Sequence, residues 1–226
     1  MNKFRYIFSA FVFLAFTSSL KAQKSALDGK QATLHNYSFA ITDEYQMFLD
    51  LMTDEDRDLI IGEEDPVERL FTDKSYERIK AAIEDKTGLG ILPKETLEGK
   101  VVYDIYGYPA GGSKKAAKRG NTPYYLKLNV QMTARDIIDE ELGVNDVDFQ
   151  KRRIKPFVFI KATFFDERGK KLFQSEGKAK GDRWIKLDQT ALFGLIALEG
   201  QNIVDEQETL LSVLDEAIAD LLTKLP

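Results

Sequence analysis

Residues 124–132, YYLKLNVQM, alternate between apolar and polar side chains over most of their length. The apolar set comprises Tyr124, Leu126, Leu128, Val130 and Met132, and the polar set comprises Lys127, Asn129 and Gln131. Because successive side chains of a β-strand point to opposite faces, this alternation predicts a strand with one face in the core and the other in water. A strand that is solvated on one side is typical of an antiparallel sheet.

The neighbouring strands follow from the patterns around this stretch. Residues 157–165, FVFIKATFF, are mostly apolar on both faces, which predicts a central strand. Residues 167–170, ERGK, are typical of a hairpin turn that leads into a further strand at 171–175. Shorter strands are predicted at 37–41, at 89–92 and at 184–187.

Residue patterns in other parts of the chain predict helices. Possible helix starts at Thr42 and Thr53 predict short helices over 43–52 and 53–62. A start at Pro66 predicts another helix from that residue, and a start at Ser75 predicts one over 76–86. A last helix is predicted from Asp205, with a long apolar stripe that should pack across the sheet. The predicted fold is therefore α+β: a two-layer domain with a mostly antiparallel sheet, helices packed on one face and a long C-terminal helix.

The order of these elements resembles a known group of domains. A capped helix precedes GILP at 90–93, antiparallel strands with a hairpin follow, and the chain closes with LDEAIADLLTKLP at 214–226. This order resembles the small α/β domains of bacterial envelope accessory proteins, the TolB N-terminal and CsgG-like group. The resemblance implies an adaptor or structural role rather than catalysis. Members of that group often begin as lipoproteins, whereas this chain has no cysteine that could be acylated.

The first residues have the order of a secretory signal peptide. Lys3 and Arg5 precede the apolar run at 6–16, and small and polar residues follow up to Ala22. This run is shorter than the roughly 20 residues that a membrane-spanning helix needs. We therefore expect residues 1–22 to be a signal peptide, with no transmembrane segment in the mature chain. We expect residues 23–226 to form a single domain, of which 23–36 is flexible.

The composition narrows the classes of function. The net charge is −5, and it becomes −8 without residues 1–22, which hold three cations and no acid. Such an acidic chain is a poor candidate for nucleic-acid binding. The lack of cysteine excludes disulfides, thiolate metal sites and cysteine nucleophiles. His35 is the only histidine, and we expect it at the surface or in a local hydrogen bond.

One acidic stretch has the spacing of a calcium loop. The four candidate ligands are Asp54, Asp56, Asp58 and Asp65. Leu59, however, stands where such a loop needs glycine for its turn. We therefore predict no metal site and no cofactor.

Residues 106–125, YGYPAGGSKKAAKRGNTPYY, are the best candidate for a contact site. Ser113 is expected to cap a short helix that ends at Gly120. The spacing of the glycines and lysines does not fit a phosphate-binding loop. The predicted partner-binding residues are Lys114, Lys115, Lys118, Arg119, Tyr106 and Tyr108. The alternative is a solvated connection whose tyrosines seat it on the sheet.

These patterns predict an exported, non-enzymatic accessory or adaptor protein of the cell envelope, in the periplasm or outside the cell. Its partner would be another envelope protein or an anionic envelope component. The alternative is a protein that binds a small apolar or anionic ligand between the sheet and the C-terminal helix, near 192–198. A hydrolase that uses two carboxylates is a third hypothesis.

Overall fold

A computed structural model of the chain describes residues 27–41, 66–138, 153–182, 185–186 and 210–226. The described elements are β1 (Gln31–Ile41), α1 (Pro66–Thr87), β2 (Gly90–Ile91), a short 3-10 helix (Lys94–Leu97), α2 (Ser113–Arg119), β3 (Tyr124–Ile138), β4 (Arg153–Asp166), β5 (Lys171–Lys180), β6 (Ile185–Lys186) and α3 (Leu210–Thr223). Several predictions concern residues outside these ranges: the signal peptide, the helices over 43–52 and 53–62, the candidate metal ligands Asp54, Asp56, Asp58 and Asp65, and the ligand site near 192–198.

The described strands form one sheet in the order β2-β1-β3-β4-β5, and β6 also pairs with β4. The pairs β3/β4 and β4/β5 are antiparallel, as predicted, and β4/β6 is antiparallel too. β1 differs, because it runs parallel to both β2 and β3. A parallel pair needs a long crossover between its strands, and here the chain between β1 and β3 includes α1 and α2. The α+β fold is confirmed.

The alternation predicted for β3 is confirmed. Its buried side chains are Leu126, Leu128, Val130 and Met132, whereas Lys127, Asn129 and Gln131 are half-buried or exposed. In β4, Val158, Ile160, Ala162 and Phe164 stand opposite the buried residues of β3 and are themselves fully buried. β4 lies between β3 and β5, which confirms its central position.

Two local predictions are corrected. Residues 31–36, which were expected to be flexible, form the first part of β1, and Ala32, Thr33 and Leu34 are fully buried there. Pro66 does begin a helix, but a second start at Ser75 is wrong. α1 continues through this residue to Thr87, with Ser75 buried inside the helix. Gly88 then follows in a left-handed conformation (φ 69°), as expected after a helix end.

α3 packs across β5 and β4, as its apolar stripe predicts. The stripe is buried at Leu211, Leu214, Ile218, Leu221 and Leu225. The helix backbone comes so close to β5 at Gly177 that a Cβ there would lie 2.1 Å from the carbonyl oxygen of Ala217. This contact leaves no room for a ligand at that point between helix and sheet. None of the described helices combines the length and apolar character needed to cross a membrane.

The contact at Gly177 gives a test of the fold. We expect Gly177→Ala to lower the free energy of unfolding by at least about 2 kcal/mol, because the added methyl group overlaps Ala217 and Leu221. Gly90→Ala is the matched control, since a Cβ there makes only an ordinary contact of 3.7 Å with the carbonyl oxygen of Lys30. Urea unfolding measures both. Equal effects of the two substitutions would contradict this position of α3.

Candidate functional site

α2 carries the predicted basic residues, and its ends are set by glycines. Gly112 precedes the helix in an extended conformation (φ −79°, ψ 145°) and makes no side-chain cap. Gly120 follows it and donates its N–H to the carbonyl of Ala116. Ser113 is not the cap that the sequence predicts. It is the first helical residue, and its hydroxyl donates to the carbonyl of Gly169, 3.1 Å away in the β4–β5 turn.

One side of α2 is anchored on the face of the sheet opposite α1 and α3. Ala116 is fully buried there in a small second core with Leu97 and Tyr125, against which Phe165 packs. The other side of the helix faces solvent. Its exposed residues are Lys114, Lys115, Lys118 and Arg119. The Arg119 guanidinium donates to the carbonyl of Lys100, which holds the end of the helix on the preceding loop.

The β4–β5 turn packs directly against the start of α2. Gly169 has φ 73°, and a Cβ built on it would lie 2.7 Å from the Cα of Lys114. Only a glycine fits so close to the helix backbone. The turn and the first residue of β5 thereby bring a second segment with three exposed cations against α2. We call the combined set the basic surface: Lys114, Lys115, Lys118, Arg119, Arg168, Lys170 and Lys171.

Two carboxylates, Asp166 and Glu167, belong to the same turn as Arg168 and Lys170. Asp166 accepts hydrogen bonds from the backbone N–H groups of Lys170 and Arg168, at 2.8 and 2.9 Å. These hydrogen bonds hold the pKa of the Asp166 carboxyl below its usual value, and the bond from Lys170 has the largest effect. Asp166 is thus engaged in closing the turn, while Glu167 is exposed in the same turn. Among the described carboxylates, none forms an ion pair with Lys114, Lys115 or Lys118.

The two tyrosines predicted beside these cations lie elsewhere. Tyr108 is 1% exposed and packs against Tyr37 and Tyr76, with ring centroids 4.6 and 5.2 Å away. Its hydroxyl donates to Asp73 at 2.6 Å, and burial is the main cause of its raised pKa. Tyr106 is half-buried against the same core. Tyr108 is therefore a core residue and cannot contact a partner, which corrects that part of the prediction.

His35 fixes the segment that leads into α2. Its Nδ1 lies 2.9 Å from the carbonyl oxygen of Gly111, while its own carbonyl accepts the Gly111 N–H. Because a carbonyl can only accept, Nδ1 carries the proton. The ring is 2% exposed and meets Phe165 edge to face. The sequence predicted a surface position or a local bond, but the partner is 76 residues away.

The sequence patterns therefore identified four of the seven cations, whereas Arg168 and Lys170 were assigned only to a hairpin turn and Lys171 to the strand after it. The cations of the turn are visible in the sequence, but no sequence pattern near the turn indicates that it packs against α2. The described residues contain no cluster of three side chains suited to a metal ion.

No family model and no curated protein matches the chain. Among solved structures, it is similar to a neuraminyllactose-binding hemagglutinin homologue from Helicobacter pylori (TM-score 0.37, 8% identity, 90% of this chain and 84% of that chain). It is also similar to the lipoprotein GNA1162 from Neisseria meningitidis (0.32, 12%, 74% and 93%) and to the hypothetical protein CT253 from Chlamydia trachomatis (0.31, 10%, 67% and 72%). Similarities this low assign neither a family nor a function. The resemblance to the TolB N-terminal and CsgG-like group stays a prediction.

The close contact at Gly169 should hold the two halves of the basic surface together. Gly99 is a matched control, because it has a similar φ of 70° but nothing lies within 4 Å of the position that a Cβ would take there. We expect Gly99→Ala to cost about 1 kcal/mol of stability through backbone strain alone. Gly169→Ala should cost more and should speed amide hydrogen exchange in α2. Equal stability losses with unchanged exchange would show that the turn does not support the helix.

The burial of His35 predicts a pH dependence. Burial is the main cause that lowers the pKa of His35 below 6.5 in the folded protein. The unfolded chain therefore binds the proton more readily, and stability should fall as pH drops from about 6.5 toward the folded pKa. His35→Asn keeps a donor for Gly111 but cannot titrate. Denaturant unfolding at several pH values should show a smaller loss in this variant, and identical losses would contradict the prediction.

Proposed function

We propose that the protein is an exported, non-enzymatic accessory protein of the cell envelope, and that its basic surface binds an acidic partner protein. One observation carries the proposal. Two segments about 50 residues apart in the sequence together carry seven exposed cations, and the close packing of Gly169 on α2 brings the two segments into contact. A cluster held in this way presents a defined pattern of charge, whereas lysines scattered on a mobile loop would not.

The charge of the described residues supports an acidic partner. They hold 24 lysines and arginines against 17 aspartates and glutamates, although the whole chain has a net charge of −5. The acidity expected from composition therefore belongs to the other parts of the sequence. A local excess of cations raises the rate at which an acidic molecule finds its site, and it does so most strongly at low ionic strength.

The anchoring of α2 suits a contact surface. Its buried side is held by Ala116 in the small second core, and its ends are held through Ser113 and Arg119. The exposed lysines can therefore be replaced without loss of a core contact. A rigid element that displays exposed charges loses little conformational entropy when a partner binds.

Photo-crosslinking in intact cells tests the proposal. A photoreactive residue replaces Lys115 in one variant and Lys86, an exposed lysine of α1, in the control. We expect a single acidic protein to crosslink from position 115 and not from position 86. Adding Lys114→Glu and Lys118→Glu should abolish that product without changing the melting temperature, because both side chains are exposed.

The partner found in this way allows a quantitative test. Lys115→Glu with Lys118→Glu should lower the association rate at low salt by about tenfold, because like charges then meet in the encounter. Lys30→Glu with Lys86→Glu changes the net charge equally at exposed positions away from the basic surface. Equal effects of the two double variants, or no crosslink from position 115, would overturn the proposal.

A further inference from the structure

The face of the sheet opposite α1 and α3 carries a second set of polar and aromatic side chains. The registers of β1, β3, β4 and β5 place these residues on one face, beside the end that α2 covers. We call the set the open face: Ser38, Lys127, Asn129, Gln131, Phe157, Phe159, Lys161, Gln174, Glu176, Lys178 and Lys180. All of these side chains are exposed or half-buried, so the face is accessible to a ligand.

Cations exceed acids on the open face. Its four lysines are Lys127, Lys161, Lys178 and Lys180, and Glu176 is its one carboxylate among the described residues. Glu176 lies 3.6 Å from the Lys161 Nζ and 3.7 Å from the Lys178 Nζ. Ion pairs this exposed are weak and exchange easily with acid groups of a ligand. Among the described residues, the face therefore has an excess of positive charge.

Two aromatic rings lie in the middle of this positive face. Phe157 and Phe159 are both half-buried on β4 and, two residues apart on one strand, are spaced by about 6.7 Å. In register, Lys180 stands beside Phe157 and Lys178 beside Phe159. The Lys178 Nζ is 5.3 Å from the centre of the Phe159 ring. A ring with a neighbouring cation offers both an apolar surface and a partner for an acid group.

Amide side chains complete the set on the neighbouring strands. Gln131 stands beside Phe159 on β3, and Asn129 stands beside Lys161. Asn129 also donates to the hydroxyl of Ser38, which fixes its orientation. Amides pair with hydroxyl groups as both donors and acceptors. The open face thus combines aromatic, amide and cationic groups along one strand direction.

We propose that the open face binds a linear acidic glycan. The apolar C–H face of a sugar ring packs on Phe157 and Phe159, and the acid groups of the chain pair with Lys161, Lys178 and Lys180. The side-chain amides of Asn129 and Gln131 form hydrogen bonds with the sugar hydroxyls. The open face adjoins the basic surface, because the Lys171 Nζ donates to the Gln174 side chain at 2.7 Å. The rings and lysines of the proposed site lie further along β4 and β5, so this site does not depend on the acidic protein partner. A chain of acidic side chains alone would pair with the lysines but would offer no apolar ring face to Phe157 and Phe159.

Strand addition by a peptide is also blocked at the centre of the neighbouring edge. The backbone N–H of Lys178 already donates to Asp220 of α3, at 2.9 Å. The Nζ of Lys224 likewise donates a hydrogen bond to the backbone carbonyl of Glu176. An incoming strand would have to displace both side chains before it could pair there. A ligand that lies on the face of the sheet meets no such barrier.

Calorimetric titration of the full chain with defined oligosaccharides tests the proposal. The probes are an oligouronate and a sulfated oligosaccharide, which distinguish the acid group, and a neutral glucose oligomer of equal length. Oligothymidylate and polyglutamate are further probes, and they test whether a nucleic acid or an acidic polypeptide binds instead. We expect an acidic oligosaccharide to bind, the neutral one to bind much more weakly, and added salt to weaken the complex. A stronger complex with oligothymidylate or polyglutamate would overturn the proposal.

Variants separate stacking from charge. Phe159→Ala should lower the affinity for the acidic oligosaccharide by about tenfold, and Phe159→Leu should lower it too while keeping most of the buried volume. Lys178→Gln with Lys180→Gln should have a similar effect at these exposed positions. Lys115→Glu with Lys118→Glu, on the basic surface, should leave the affinity within about twofold, because charges beyond a Debye length are screened. Thermal unfolding checks that each variant is folded. A purely structural role for the rings predicts full affinity in the folded Phe159→Leu variant, and that result would overturn the proposal.

Discussion

The sheet has one apolar and one polar face, and the fixed register between β3 and β4 maintains the difference. Val130 stands opposite Ile160 in the core, while Asn129 stands opposite Lys161 on the other side. A slip of one residue would move Lys161 into the core and Ile160 into water. The cost of burying an unpaired lysine excludes this alternative. The positions of the helices and of both candidate binding surfaces depend on that register.

The apolar face determines where the larger helices lie. Each of them must cover apolar surface, and α3 does so closely enough that its backbone meets Gly177. The polar face cannot be covered in the same way, because its lysines and amides need water. Its end, where Tyr125 and Phe165 stand opposite each other, is apolar and packs against α2. The basic surface therefore lies where the polar face ends.

Sequence patterns correctly predicted those parts of the fold that are determined by residues within a single strand, turn or helix. The alternation in β3, the glycine turn after β4 and the stripe of α3 each follow from the period of one element. The parallel pairing of β1 with β3 joins residues about 90 positions apart, as with Ala32 and Tyr124. No period within either strand encodes such a partner. The helix start predicted at Ser75 failed for a related reason, because this residue is buried inside a longer helix and its preference for helix starts does not reveal that.

The candidate site divides in the same way. A run of cations is visible in any sequence, so the four basic residues of α2 were predicted, and their exposure follows from the buried Ala116 on the opposite side. Tyr108 was assigned to the surface because tyrosine suits interfaces. The pairing of Pro109 with Tyr37 turns it into the core instead. His35 is buried for a similar reason, since its partner Gly111 belongs to the same distant segment.

Net charge is a poor guide to which molecules this fold attracts. Residues 42–65 alone hold ten acids and one cation, whereas the described residues have an excess of seven cations. At physiological ionic strength charges are screened over about 8 Å, so a ligand responds to the groups near its site and not to the sum over the chain. The exclusion of polyanions that composition suggests therefore does not extend to the described sheet. An acidic ligand near the open face meets the field of Lys161, Lys178 and Lys180 before that of distant carboxylates.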